Sequence, residues 1–155
     1  MRLDSYDFQA VSNAMGLMAL LQSVASYGEA VTMHASEPIR ARVLAACERP
    51  AADLARAHHA LFVYGQALRH ALAPYDALIL PMAKQTAWPC GTQPAGIGIL
   101  TNPANAAGLP ATVFPAGLSA AGLPIALQVV AHSDSAAFAL ARYLAIEVGA
   151  PPAFL

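Results

Sequence analysis

Nucleophiles and bases are few in this chain, and their spacing decides what chemistry they support. Lys84 follows Pro81, Met82 and Ala83 at the end of an apolar run. A lysine there would serve as a base if burial kept it neutral, but its setting in a Pro- and Gly-rich segment reads as a solvated loop side chain. Ser133 and Ser135 stand beside His132, the residue types of a serine–histidine pair. Sequence neighbours rarely face one another, and no Gly-x-Ser-x-Gly turn presents either hydroxyl. His58, His59 and His70 are the donor type of a zinc site. Adjacent histidines on a helix point about 100° apart and no carboxylate pair completes a set, so packing or solvation is their expected role. Cys47 and Cys90 lie far apart without a Cys-x-x-Cys spacing, which predicts free thiols. The residue types alone therefore assign no catalytic residue, no metal ligand and no cofactor.

The elements that would position such groups follow from periodicity. Phe8, Val11, Met15, Met18, Ala19 and Leu21 recur near a 3.6-residue period, which predicts a buried helix over 8–26 ended by Gly28. Ser36 as cap and Pro38 in the first turn start a second helix over 37–47, with Ile39, Val43 and Leu44 on one face. Pro50 opens a third over 51–71. It places Leu54, His58, Leu61, Phe62, Leu68 and Leu72 on one side, leaves Arg56, Gln66 and Arg69 to solvent, and stops at Pro74. The period then changes. Residues 76–81 form a short apolar run of the kind buried on both faces of a sheet. Residues 82–100, with Pro89, Gly91, Pro94, Gly96 and Gly98, predict a long loop, and long loops often border sites. Strands at 111–115 and 125–130 flank a Gly-rich turn and predict a hairpin. A last helix over 135–148, capped by Ser133 or Asp134, ends at Gly149 and Pro151. The expected organisation is one unit over 1–155: helical at 8–73, strand, loop and hairpin at 76–130, and a C-terminal helix at 133–149.

Composition excludes several function classes. Charged residues are 11% and apolar types 57% of the 155 residues, against about 25% charged in an ordinary soluble domain. Polar surface is scarce, so part of the apolar surface is expected to meet a protein partner. The net charge is −1 and the eight Lys and Arg are scattered, without the basic field that nucleic acid requires. Gln22, Pro110, Pro115, Pro124 and Gln128 interrupt the apolar stretches before any reaches the roughly 18 residues of a membrane span. The opening Met1-Arg2-Leu3-Asp4-Ser5-Tyr6-Asp7 is acidic where a signal peptide would be basic, so the expected location is cytoplasmic.

Three landmarks in order carry a family resemblance: residues 75–81 (Tyr-Asp-Ala-Leu-Ile-Leu-Pro), residues 101–111 (Thr-Asn-Pro-Ala-Asn-Ala-Ala-Gly-Leu-Pro-Ala) and residues 122–130 (Gly-Leu-Pro-Ile-Ala-Leu-Gln-Val-Val). With the spacing from Asn105 to Gly108, Pro110, Pro115, Gly117, Gly122 and Gln128, the chain resembles the C-terminal part of amidase-signature proteins. Gly28-Glu29-Ala30 with His34 is similar to that family's Glu-Ala helix. Met82 departs from the pattern, standing where the family usually carries Thr.

The resemblance implies an α/β fold, the C-terminal part of an α/β/α architecture with helices packed on a small mixed sheet. It also implies amide hydrolysis, or ammonia transfer, through a Ser, cis-Ser and Lys triad. In that family the triad sits in the N-terminal half, with the serine nucleophile in a Gly-Ser-rich stretch that has no counterpart in this sequence. The chain is therefore expected to be catalytically silent alone, since acyl transfer needs a nucleophile, a base and oxyanion donors. A small amide substrate is expected only if an N-terminal amidase half completes the cleft. By resemblance, Thr101 and Asn105 line that cleft as substrate-binding residues, although an Asn here also serves to hold a turn. The rival readings are a binding or regulatory subunit docking on an amidase-like partner, and an enzyme with an unrecognised nucleophile. A sheet edge or the first helix is expected to mediate self-association.

Overall fold

The computed structural model describes residues 6–92 and 94–149; residues 1–5 of the acidic opening, and Pro151, lie outside them. Asp7 starts α1 (Phe8–Tyr27), its Oδ1 accepting the Ala10 N–H at 2.9 Å. Gly28, at φ +57, ends it, in the left-handed region that glycine enters without strain. The short α2 (Glu29–His34) follows. Next comes α3 (Glu37–Cys47) with Pro38 in its first turn. Its bounds are those expected. Ser36 holds the N-cap position, but its hydroxyl makes no capping hydrogen bond.

The long α4 (Ala51–Leu72) buries Ala57, Gly65, Leu68 and Leu72. This corrects the expected face, because His58 and Phe62 are exposed. Small residues allow α4 to lie close against its neighbours, so the contact line runs through Ala57 and Gly65 rather than through the larger side chains beside them.

The sheet contains β1 (Ala77–Pro81), β2 (Ala111–Leu118) and β3 (Pro124–Ala131) in the order β1-β3-β2, with both pairings antiparallel. Helices on a small sheet were expected, but a mixed sheet was not found among the described residues. β1 and β2 run the same way, yet they lie on either side of β3 and oppose it. β2 and β3 form the hairpin. Their loop is closed by the Ser119 N–H donating to the Leu123 carbonyl at 2.8 Å and the Leu123 N–H donating to Ser119 Oγ at 3.1 Å. Strand β2 continues past Pro115, where it was expected to stop, through a register shift between Pro115 and Gly117. Such a bulge accommodates a residue with no N–H to offer.

Alternate strand residues face two helical layers. Leu78 and Val130 join Tyr6, Val11, Leu68, Leu72 and Leu109 beneath α1, α4 and α5 (Asn102–Ala107). Phe114, Leu127 and Val129 pack against Ala141 and Ala145 of α6 (Asp134–Glu147). The layers are therefore α/β/α. Strand β1, expected to be covered on both faces, pairs with β3 alone and so is an edge strand; its Ile79 is 45% exposed, because α6 lies over β2 and β3. Ser133 caps α6, accepting the Ala136 N–H at 3.2 Å.

Candidate functional site

The end of β1 runs directly into the long loop at 82–100. The Met82 N–H donates to the Ala126 carbonyl at 3.0 Å, extending the β1–β3 ladder by one bond. Beyond that point Lys84, Gln85, Thr86 and Trp88 form one side of a cleft of about 420 Å3, with Pro124, Ile125 and Ala126 opposite. Its volume lies within the range of roughly 300–1,000 Å3 seen for small-molecule sites. Among the described residues Lys84 is the one charged residue lining it, and it is exposed.

Gln128 holds the loop in place. It is 1% exposed, and its Nε2 donates to the Leu100 carbonyl at 2.8 Å and to the Pro81 carbonyl at 3.3 Å. One buried amide thereby joins the end of β1 to the far end of the loop. The Thr101 and Asn102 N–H groups both turn back onto the Gly98 carbonyl, and Asn102 Nδ2 donates to Ser12 Oγ at 3.2 Å. The cleft is lined mainly by apolar side chains and an indole, with Lys84, Gln85 and Thr86 as its polar groups, which suits a small ligand with an apolar body and a hydrogen-bonding group.

The two residues expected to bind substrate are not brought together. The Thr101 hydroxyl donates to the Gly98 carbonyl at 3.3 Å, at the start of α5. Asn105 is exposed and lines a separate groove beside Met15, His58 and Phe62. Gln85, Thr86 and Trp88 carried no assignment from the sequence, and the loop composition was the one signal that pointed to them.

The remaining candidates make no catalytic pair. His132 Nε2 donates to the Tyr75 carbonyl at 3.0 Å, while Ser133 is committed to its cap and lies 3.1 Å from the Ser135 hydroxyl. His58, His59 and His70 are exposed. Among the described residues no group of three or more His, Cys, Asp or Glu could hold a metal ion. Cys47 and Cys90 are exposed free thiols. Burial first, and then the neighbouring Tyr64, pushes the Tyr6 hydroxyl up to about 12, so it stays protonated and serves packing. Among the described residues no helix is long and apolar enough to cross a membrane.

The amidase family model matches residues 5–136. The chain belongs to the amidase family. A solved amidase superposes with a TM-score of 0.81 at 24% identity, covering 93% of this chain and 37% of that one. A glutamyl-tRNA(Gln) amidotransferase subunit from Thermotoga maritima gives 0.64 at 25% identity, over 93% and 34%. Among curated amidase relatives, the glutamyl-tRNA(Gln) amidotransferase subunit of Synechococcus sp. (strain CC9605) is 43% identical over 63 residues, or 37% of this chain and 13% of that protein. Its counterpart in Hyphomonas neptunium (strain ATCC 15444) is 41% identical over 71 residues, or 41% and 14%. The chain thus spans about a third of the solved amidases, and a smaller part of the curated relatives, that it matches.

Proposed function

We propose that this chain is the C-terminal part of an amide C–N hydrolase and forms one wall of its substrate cleft, with the nucleophile supplied by another segment. The observation that carries this reading is amidase-family membership over residues 5–136 together with a largely apolar cleft at the end of β1 into which Lys84, Gln85 and Thr86 bring polar groups. In the completed cleft Gln85 and Thr86 hydrogen-bond the amide; the substrate-binding roles of Thr101 and Asn105 rest on the family resemblance, since the Thr101 hydroxyl is bonded to the Gly98 carbonyl and Asn105 lines a separate groove. The exposed Asn105 side chain is accessible for such a contact. Covalent acyl transfer requires a nucleophile within hydrogen-bond reach of a base. The serine hydroxyls bonded among the described residues meet backbone groups, an asparagine amide or one another. The isolated chain is accordingly proposed to be silent. Its exposed thiols suit a reducing compartment, which supports a cytoplasmic location.

Intact-mass measurement after incubation with a fluorophosphonate probe tests this. The expected result is no adduct on the 16.0 kDa chain. A stoichiometric adduct would reveal an activated serine and overturn the proposed silence.

The exposed sheet edges favour a second reading, a non-catalytic subunit that associates with its own kind or with an amidase-like partner. Val113 on the outer strand β2 is 50% exposed, with Phe138 beside it across a shallow groove. Unpaired strand edges are templates for further pairing. Light scattering on the purified chain at high concentration is expected to give a mass above that of the monomer; a strict monomer would count against self-association.

A further inference from the structure

A groove of about 530 Å3 between α1, α3 and α4 shares no lining residue with the cleft. Its floor consists of methyl and isobutyl groups, among them the buried Ala14, Ala46 and Ala57, with Leu17 at one side. Its rim carries Arg42, Arg49 and Arg56 against a single carboxylate, Asp53. Three of the chain's eight basic residues therefore line one groove of a protein whose net charge is −1. Asp53 pairs with Arg49 at 2.7 Å and also with Arg56, while Arg42 forms no ion pair among the described residues. Each guanidinium has five N–H donors in a planar fork, so most of the donors at this rim remain available. Guanidinium forks match carboxylates in two-bond geometry.

We propose that this groove binds a small organic anion, a carboxylate on an apolar body, with the body on the alanine floor and the carboxylate against Arg42 and Arg49. The volume falls in the range for small ligands, in which an apolar lining holds the body and a few polar groups fix its orientation. This site is independent of the amide-hydrolase reading.

The test is titration of the 155-residue chain with decanoate and with 1-decanol, below their aggregation limits, followed by amide shift mapping. Decanoate should bind 1:1 with shifts at Ala45, Ala46 and Ala57, and about tenfold more tightly than decanol. Arg42→Gln should weaken decanoate by about tenfold and leave decanol and the far-UV spectrum unchanged, whereas Arg42→Lys should retain part of the preference. Equal binding of the two probes, shifts centred on α6, unaltered decanoate affinity in Arg42→Gln, or absence of saturable binding would each overturn the proposal. Binding of an acidic helical peptide without binding of decanoate would overturn it in favour of a protein partner.

Discussion

Leu72→Ala should lower the unfolding free energy by roughly 3–4 kcal/mol, within the range measured for buried leucines. Leu72 is the last residue of α4 and is fully inaccessible, packed among Leu68, Val11, Leu109 and Val130 where three helices meet the sheet. Truncation removes three carbons and leaves a void whose walls belong to separate elements. Those walls collapse only if α4, α1 and the sheet shift together, so much of the cavity should persist. Urea titration followed by circular dichroism measures the change. A loss below about 1 kcal/mol would mean that this layer is not closely packed. With total stabilities typically about 5–15 kcal/mol, the variant would sit near the threshold of folding.

Gly65→Ala is expected to destabilise by about 2–3 kcal/mol, the scale of overpacking, although the same change in an open helix stabilises. Alanine ordinarily improves on glycine in a helix interior by about 0.5–1 kcal/mol. At Gly65 the added Cβ would lie 2.4 Å from the Ala106 carbonyl oxygen and 3.0 Å from its carbon. Those are backbone atoms of α5, which no rotamer change can clear. Gly16 in α1 is the control, since an added Cβ there meets nothing within 4 Å, and Gly16→Ala should stabilise by about 0.5–1 kcal/mol. Paired thermal melts decide the matter. Two changes of the same sign would show that the α4–α5 approach is looser than described.

These sites also show what the sequence could reveal. Local punctuation was legible: Gly28 ended α1, Pro38 opened α3 and Ser133 capped α6, because each signal acts within one turn of chain. The face of α4 was not. Periodicity weighs apolar bulk and so favoured Phe62 over Gly65, whereas burial follows the partner's position, and α5 approaches the small residues. Helix α5 itself went unread as a helix, being six residues long with too little chain to show a period. Its boundary signals were nevertheless present in Pro103 and in Gly108 at φ +57.

At the candidate site, Pro and Gly marked the loop at 82–100, but not which of its side chains would line a cleft. Thr101 and Asn105 are four positions apart in sequence, yet one hydroxyl turns back on Gly98 while the other side chain lies beside Phe62. Strand β1 read as covered on both faces because its composition is apolar. The strand order makes it an edge, and the position of α6 over β2 and β3 leaves Ile79 exposed; neither is visible in its composition.

Gln128 has a further consequence, for pairing fidelity. Along β3 the residues on either side of it are Leu127 and Val129, both facing the α6 layer. A one-residue slip of the ladder would swing every β3 side chain to the opposite face. The amide would then enter an aliphatic layer, and the Leu100 and Pro81 carbonyls would lose their donor. Each misplaced buried polar group costs about 1–3 kcal/mol, so the slipped arrangement is penalised on both faces at once. The same bond sets an order of assembly. Its two acceptors come together only after β1 has docked on β3, so the loop bearing the cleft wall should become rigid last, once the sheet beneath it has settled into its alignment.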